Sequence, residues 1–285
     1  MSPDHTVVIR ARELWAVLEA VHDVTYFTPQ ARAAHEAAGL RGFWRGYVAT
    51  RAAPLGAVTL GPVVAAFHNF APSFLARTVP AIWAVVPPEQ ALTARLAGAV
   101  TALREHLPGL DREPLAEVVS VLWRIVRSAS WEGRPLGAAN ADLPEPEDPV
   151  AALWLATTAL REHRGDGHVA VLVAEGIGGL EAHVLRDAAD GSRDLVLPHR
   201  GWTDDEWSAA HARLVERGLV ADGLTEEGRR LREHIERRTD ELAAQAYAAA
   251  TEAELARVDA VLRPLAKRLA GGAVPYPNPV GAPAP

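Results

Sequence analysis

Thr203–Leu242 reads TDDEWSAAHARLVERGLVADGLTEEGRRLREHIERRTDEL. Thr203 and Glu206 have capping-box spacing, so a helix starts here and runs to Gly218, a plausible stop. Only Ala221-Asp222-Gly223 separates Val220 from Leu224, and Leu224-Thr225-Glu226-Glu227-Gly228 opens a second, strongly charged helix. The same punctuation recurs outward. Thr28-Pro29 supplies a hydroxyl cap and a proline whose missing N–H costs nothing in the first helical turn, and Gly39 closes that segment. Asp148-Pro149 repeats the signal before Val150–Arg164, Thr251 and Glu254 repeat the capping box, and Gly271 stops the last helix. Leu92, Leu96, Val100 and Leu103 share one helical stripe, as do Leu115, Val118, Leu122 and Ile125. Asp194–Leu197 is the best strand candidate. The expected fold is mainly α, with a multi-helix N-terminal half and a C-terminal half of helices joined by tight turns.

Composition narrows the chemistry. The 285 residues are 49% apolar and carry 29 basic against 36 acidic side chains, a net charge of −7, which disfavours unspecific attraction to nucleic acid or anionic membrane. The absence of cysteine excludes disulfides, thiolate metal sites and cysteine nucleophiles. Lys267 is the one lysine, so a P-loop or Schiff base has no other candidate. No apolar run reaches membrane-spanning length, and Met1-Ser-Pro-Asp-His opens no signal peptide, so a cytoplasmic protein without membrane contact is expected. Gly133–Pro149 (GRPLGAANADLPEPEDP) reads as a linker between a helical domain, 1–132, and a second helical domain, 150–274; the proline-rich residues 275–285 read as an extended surface tail or a disordered one. Pro-Leu-Gly-Ala (54–57, 135–138) and Ala-Leu-Arg-Glu-His (102–106, 159–163) recur without a common offset, which disfavours a solenoid and leaves a degenerate duplication open.

The Leu214–Gly228 segment resembles the end of a winged-helix domain of the multiple-antibiotic-resistance regulator (MarR) type, in which a helix ending in Leu-x-x-x-Gly-Leu-Val leads through the wing to Leu-Thr-x-x-Gly. More widely, Tyr26–Pro29, Gly39–Gly56, Arg161–Gly179, Arg200–Thr225 and Asn278-Pro279 resemble an actinobacterial family labelled helix-turn-helix. The resemblance implies a winged-helix-like C-terminal half with at most a very short β-wing and, as one reading, a ligand-responsive regulator that binds DNA as a homodimer through Arg186, Arg193, Arg200 and Arg213. Charge argues the other way. Arg200–Asp240 holds eight arginines against ten acids, and the short wing has no base.

The leading expectation is a protein that binds a small organic ligand with an anionic or polar group for sensing, sequestration or specialised metabolism. Its cavity would lie between the N-terminal half and the helix carrying Trp154 to His163. Tyr26, Trp44, Tyr47 and Trp154 would supply aromatic walls, Arg41, Arg45 and Arg51 the anion partners, and His68, Asn69 and His168 further polar contacts. The plainer reading makes Trp44 and Tyr47 core residues and lets the arginines snorkel or pair on the surface. A third reading is a cofactor-independent enzyme of natural-product biosynthesis using His22, Asp23, His163 and Asp166, with His68 in reserve, as acid–base groups. It requires at least two of them to meet in one cavity. His163, Asp166 and His168 could also chelate a metal, but the simpler expectation is that Asp166 caps a helix beginning at Gly167-His168, with no metal and no cofactor.

Overall fold

The caps foreseen in the sequence start real helices. In the computed structural model, which describes residues 5–285, Thr28, Asp148, Thr203, Thr225 and Thr251 each accept a hydrogen bond from an amide in the first turn of the helix they precede. The longer helices are α1 (His5–His22), α2 (Pro29–Ala37), α3 (Phe43–Ala52), α4 (Leu60–Ala66), α5 (Pro88–His106), α6 (Arg112–Ser128), α7 (Pro135–Ala141), α8 (Pro149–Ala174), α9 (Gly179–Asp190), α10 (Asp204–Glu216), α11 (Glu226–Ala244) and α12 (Glu252–Ala270). Among the described residues the only β pairing is a single antiparallel bridge, Val220 to Leu224, across the expected wing. The fold is mainly α. The strand expected at Asp194–Leu197 is instead a short helix, Arg193–Val196, and a 3-10 turn, Leu197–His199. Asp187 accepts from the Arg193 amide and sets that turn, and no neighbouring strand exists to pair with it.

Helix α8 organises the rest. It is 26 residues long and buried on most of its circumference, because α1, α5, α6, α7 and α11 all pack on it. Its first half, Val150–Leu160, is apolar apart from Thr157 and Thr158, as an interior helix requires. The largest core joins α1, α5, α6, α8 and α12. An aromatic core lies among α3, α4 and the loops that follow, and a third joins the end of α8 to α9, α10 and α11. The first core draws on both ends of the chain, since α1 packs directly on α12.

Two expected loose stretches are structured. Residues 133–149 do not form an open linker: α7 lies within them, with Leu136, Gly137 and Asn140 buried against α8. Residues 275–285 take one of the two expected forms, an extended surface tail. They fold back over the surface, with Tyr276 on the first core, Val280 on the aromatic core and Asn278 only 1% exposed. The leader expectation at residues 1–4 falls outside the described residues. Among those described, no single helix is long and apolar enough to cross a membrane.

Candidate functional site

A polar centre sits where α1, α3, α5 and α8 meet. It follows from spacing along α8: Trp154, Thr158, Arg161 and Glu162 occupy one face at intervals of three and four, the repeat that aligns side chains on a helix. Glu162 is buried and takes two parallel hydrogen bonds from Arg51, at 2.9 and 3.1 Å, together with an ion pair from Arg161 at 2.9 Å. Arg161 also donates to Glu19, at 2.7 Å, and Trp15 steadies the other oxygen of Glu19 at 3.0 Å. Beside this network His22 spans Thr158 Oγ1 (2.9 Å) and the Tyr26 hydroxyl (3.0 Å), while the Trp154 indole donates to the His22 carbonyl.

Electrostatics here are set by burial against pairing. Burial opposes the Glu162 charge, but Arg161 and Arg51 outweigh it and hold the carboxyl well below its ordinary value. The same Glu162 raises Arg51 above its ordinary value despite burial. His22 is pushed far down by burial and then by Arg161, so its imidazole is neutral. Asp23 is pushed well up by burial and by Glu19, and neither of its oxygens has a partner. Two further arginines have no carboxylate among the described residues. Arg95 donates to the Thr50 carbonyl and to Asn140, and burial lowers it to about 10. Arg200 donates only to the carbonyls of His199 and Pro279 and is also lowered by burial to about 10.

Aromatic rings wall this centre. Tyr26 packs on Tyr47 at 4.7 Å, Tyr47 on Phe70 at 5.6 Å, and Phe70 on Phe67 at 6.0 Å. Arg51 lies 4.5 Å over Phe67 and Arg200 lies 4.6 Å over Phe70, so two guanidiniums rest on neighbouring rings. On the outer side of Tyr26 and Tyr47, towards Arg32 and Phe43, a hollow of about 10 Å³ has roughly the room for one water. A larger groove of about 580 Å³, not foreseen from sequence, runs between α1 and α11, but its charges pair across it through Arg12 with Asp240 and Glu236.

The expected ligand residues divide. Tyr26, Tyr47, Arg51 and Trp154 converge on the centre, and Trp44 borders it through Phe70 and Phe74. Arg41 and Arg45 do not; both are exposed, because Arg41 precedes α3 and Arg45 lies in its first turn, whereas the helix is buried from Gly46 onward, Arg51 partly. His68 and Asn69 lie at the junction with α9, where the Asn69 carbonyl receives the Trp202 indole N–H. His168 is seven residues beyond Arg161, about 10 Å along α8, and bonds Thr239 of α11. Sequence reasoning missed Glu19, Arg95 and Thr158, whose partners lie 45 to 142 residues away.

The acid–base candidates do not meet. His163 packs edge-on to Trp131 and is lowered to about 3 by burial and Arg134, while Asp166 accepts from the Gly137 amide at 2.8 Å on the α7 side of the helix. No hydrogen bond joins any two of His22, Asp23, His163 and Asp166 among the described residues. Asp166 is also not a helix cap, since α8 runs unbroken through Gly165 and Gly167. Gly167 is there for proximity: a Cβ would come within 2.6 Å of Arg134 Nη1.

The four arginines of the DNA reading are each engaged within the fold. Arg186 pairs Asp190, Arg193 pairs Asp204, Arg213 pairs Glu181, and Arg200 is buried. Helix α10 opens with Asp204, Asp205 and Glu206. A model described as a helix-turn-helix family matches residues 11–275, and the chain belongs to that family. No curated protein and no solved structure matches it.

Proposed function

We propose that this member of the helix-turn-helix family binds a small organic anion at the aromatic polar centre, using the scaffold for ligand recognition rather than for reading DNA. One observation carries the reading: Arg95 and Arg200 lie buried on the rings of Trp154 and Phe70 without a carboxylate partner among the described residues, beside the Arg51–Glu162 pair. Burying a cation without a counter-charge is costly, and a carboxylate or phosphate on an apolar body would offset that cost. The match to residues 11–275 places the whole centre inside the family unit, not in an appended region. On this reading the lone Val220–Leu224 bridge is what remains of a MarR-type wing.

The test is thermal unfolding of the full chain with benzoate and with phenylphosphate. A ligand at a hundredfold excess over its dissociation constant stabilises by about 2.7 kcal/mol. Arg51→Met, which leaves Glu162 paired with Arg161, is expected to fold and to lose that stabilisation. No shift with either anion at millimolar concentration, or an equal shift in Arg51→Met, refutes the proposal. Native mass spectrometry of the same sample reads retained organic mass and the expected homodimer in one spectrum. The second reading, a DNA-binding regulator, is favoured by the family description alone.

A further inference from the structure

We infer that Arg200 marks an oxyanion-binding subsite which the chain's own C-terminal strap, residues 275–285, fills in the unliganded protein. The inference rests on the proposal that the aromatic centre takes an organic anion, and adds where the anionic head goes and what must leave. Arg200 is 5% exposed and stacked on Phe70. Its Nη2 donates to the Pro279 carbonyl at 2.6 Å, its Nη1 to the carbonyl of adjacent His199, and its Nε to nothing. A guanidinium presents a planar fork that suits a carboxylate or phosphate in two parallel bonds, and a lone peptide carbonyl meets half of that geometry and none of the charge.

Further donors face the same strap. A Cβ on Gly281 would stand 2.7 Å from Arg186 Nη1, so a second guanidinium lies directly against the tail. Nearby His183 adds no donor: burial and then Arg200 hold its imidazole neutral, and its one N–H goes to the Asn69 backbone.

The strap's grip on this place is local. Asn278 Oδ1 accepts from the amides of Val280 and Gly281, at 3.0 and 3.3 Å, and its Nδ2 donates to the Pro275 carbonyl. That turn presents the carbonyl of Pro279 to Arg200. Five prolines in eleven residues lower the entropy lost on ordering the strap, and they also remove amide donors that could otherwise anchor it. An incoming oxyanion therefore exchanges one carbonyl contact for a bidentate ion pair, and the strap lifts.

The experiment titrates benzoate calorimetrically into the full chain, into Asn278→Ala and into a chain ending at Val274. Freed of its internal competitor, the site in both variants is expected to bind benzoate at least tenfold tighter than in the full chain. Arg200→Met added to Asn278→Ala should abolish that gain. In the full chain, benzoate should speed hydrogen exchange at the Val280 and Gly281 amides. Equal affinity in all three proteins overturns the strap inference and leaves the anion reading standing; absence of benzoate binding from all three overturns both. Should the shortened chain fail to fold, Asn278→Ala and the exchange measurement decide alone.

Discussion

Glu162→Gln is the sharpest probe of the polar centre. The substitution keeps the shape of the side chain and removes its charge, so no cavity contributes to the result. Arg161 keeps Glu19 at 2.7 Å, whereas Arg51 loses both of its carboxylate bonds and stays buried. Removing one partner of a buried pair costs about 3–5 kcal/mol, most of it the charge left behind. For a chain of this size that corresponds to a fall in melting temperature of about 10 °C. Circular dichroism with urea at pH 7 measures it. Adding Arg51→Met removes the orphaned charge, so the double variant should recover about 2 kcal/mol of the loss. The pH dependence follows with its sign. Glu162 is depressed in the folded protein, so its contribution is present above the ordinary value of 4.5 and is lost as pH falls below it; Glu162→Gln should flatten acid unfolding in that range. A single-variant loss below about 1 kcal/mol, or strict additivity in the double variant, refutes the view that these charges depend on one another.

Two further changes test neighbouring parts of the fold. Asp166 is raised to about 7 by burial and then by Glu162, so the folded state holds its proton more tightly than the unfolded chain and this residue's contribution to stability falls as pH rises from about 4 to 7. Asp166→Asn can still accept from Gly137 and should be more stable than the parent at pH 8 by at least about 1 kcal/mol, but not at pH 4, in urea titrations. Gly179→Ala should cost more than about 3 kcal/mol by thermal melting, since the new Cβ would stand 1.9 Å from the His68 carbonyl oxygen, and backbone cannot swing aside as a side chain can.

Local signals in the sequence were legible and long-range ones were not. Caps at Thr28, Asp148, Thr203 and Thr251 act within three residues, and each begins the helix it announces. Gly165 and Gly167 looked like the same kind of signal and are not, because glycine in a helix can serve a close neighbour as well as a break; the Arg134 guanidinium that requires Gly167 is 33 positions away. Around α3 the spacing grouped Arg41 with Arg45 and Tyr47 with Arg51 but could not say which pair is enclosed; the partner of Arg51 is Glu162, 111 residues on. The proline-rich tail read as loose because composition reports on hydrogen-bonding capacity along the strand. It does not report Asn278, whose one side chain satisfies two amides and folds the tail back.

The acids of α10 bear on the DNA reading most directly. A helix N-terminus attracts anions through its free amides and its dipole, which is how a recognition helix approaches a phosphate backbone. Here Thr203 and Glu206 already satisfy two of those amides reciprocally, and Asp204 and Asp205 place negative charge where a phosphate would arrive. The residues that make α10 a good helix therefore make it a poor reader of DNA. The arginines of α11 do not compensate, because Arg229, Arg230, Arg237 and Arg238 are each paired with Glu226, Glu227 or Glu241 on the same helix. Fluorescence anisotropy with a labelled duplex in 150 mM salt should therefore give a dissociation constant weaker than about 10⁻⁴ M, with log K falling by less than about two per tenfold rise in salt, since each phosphate contact contributes about 0.9 to that slope. Micromolar binding with a slope of five or more would mean that these ion pairs open to meet phosphate, and the scaffold would then have to be read as a DNA-binding one.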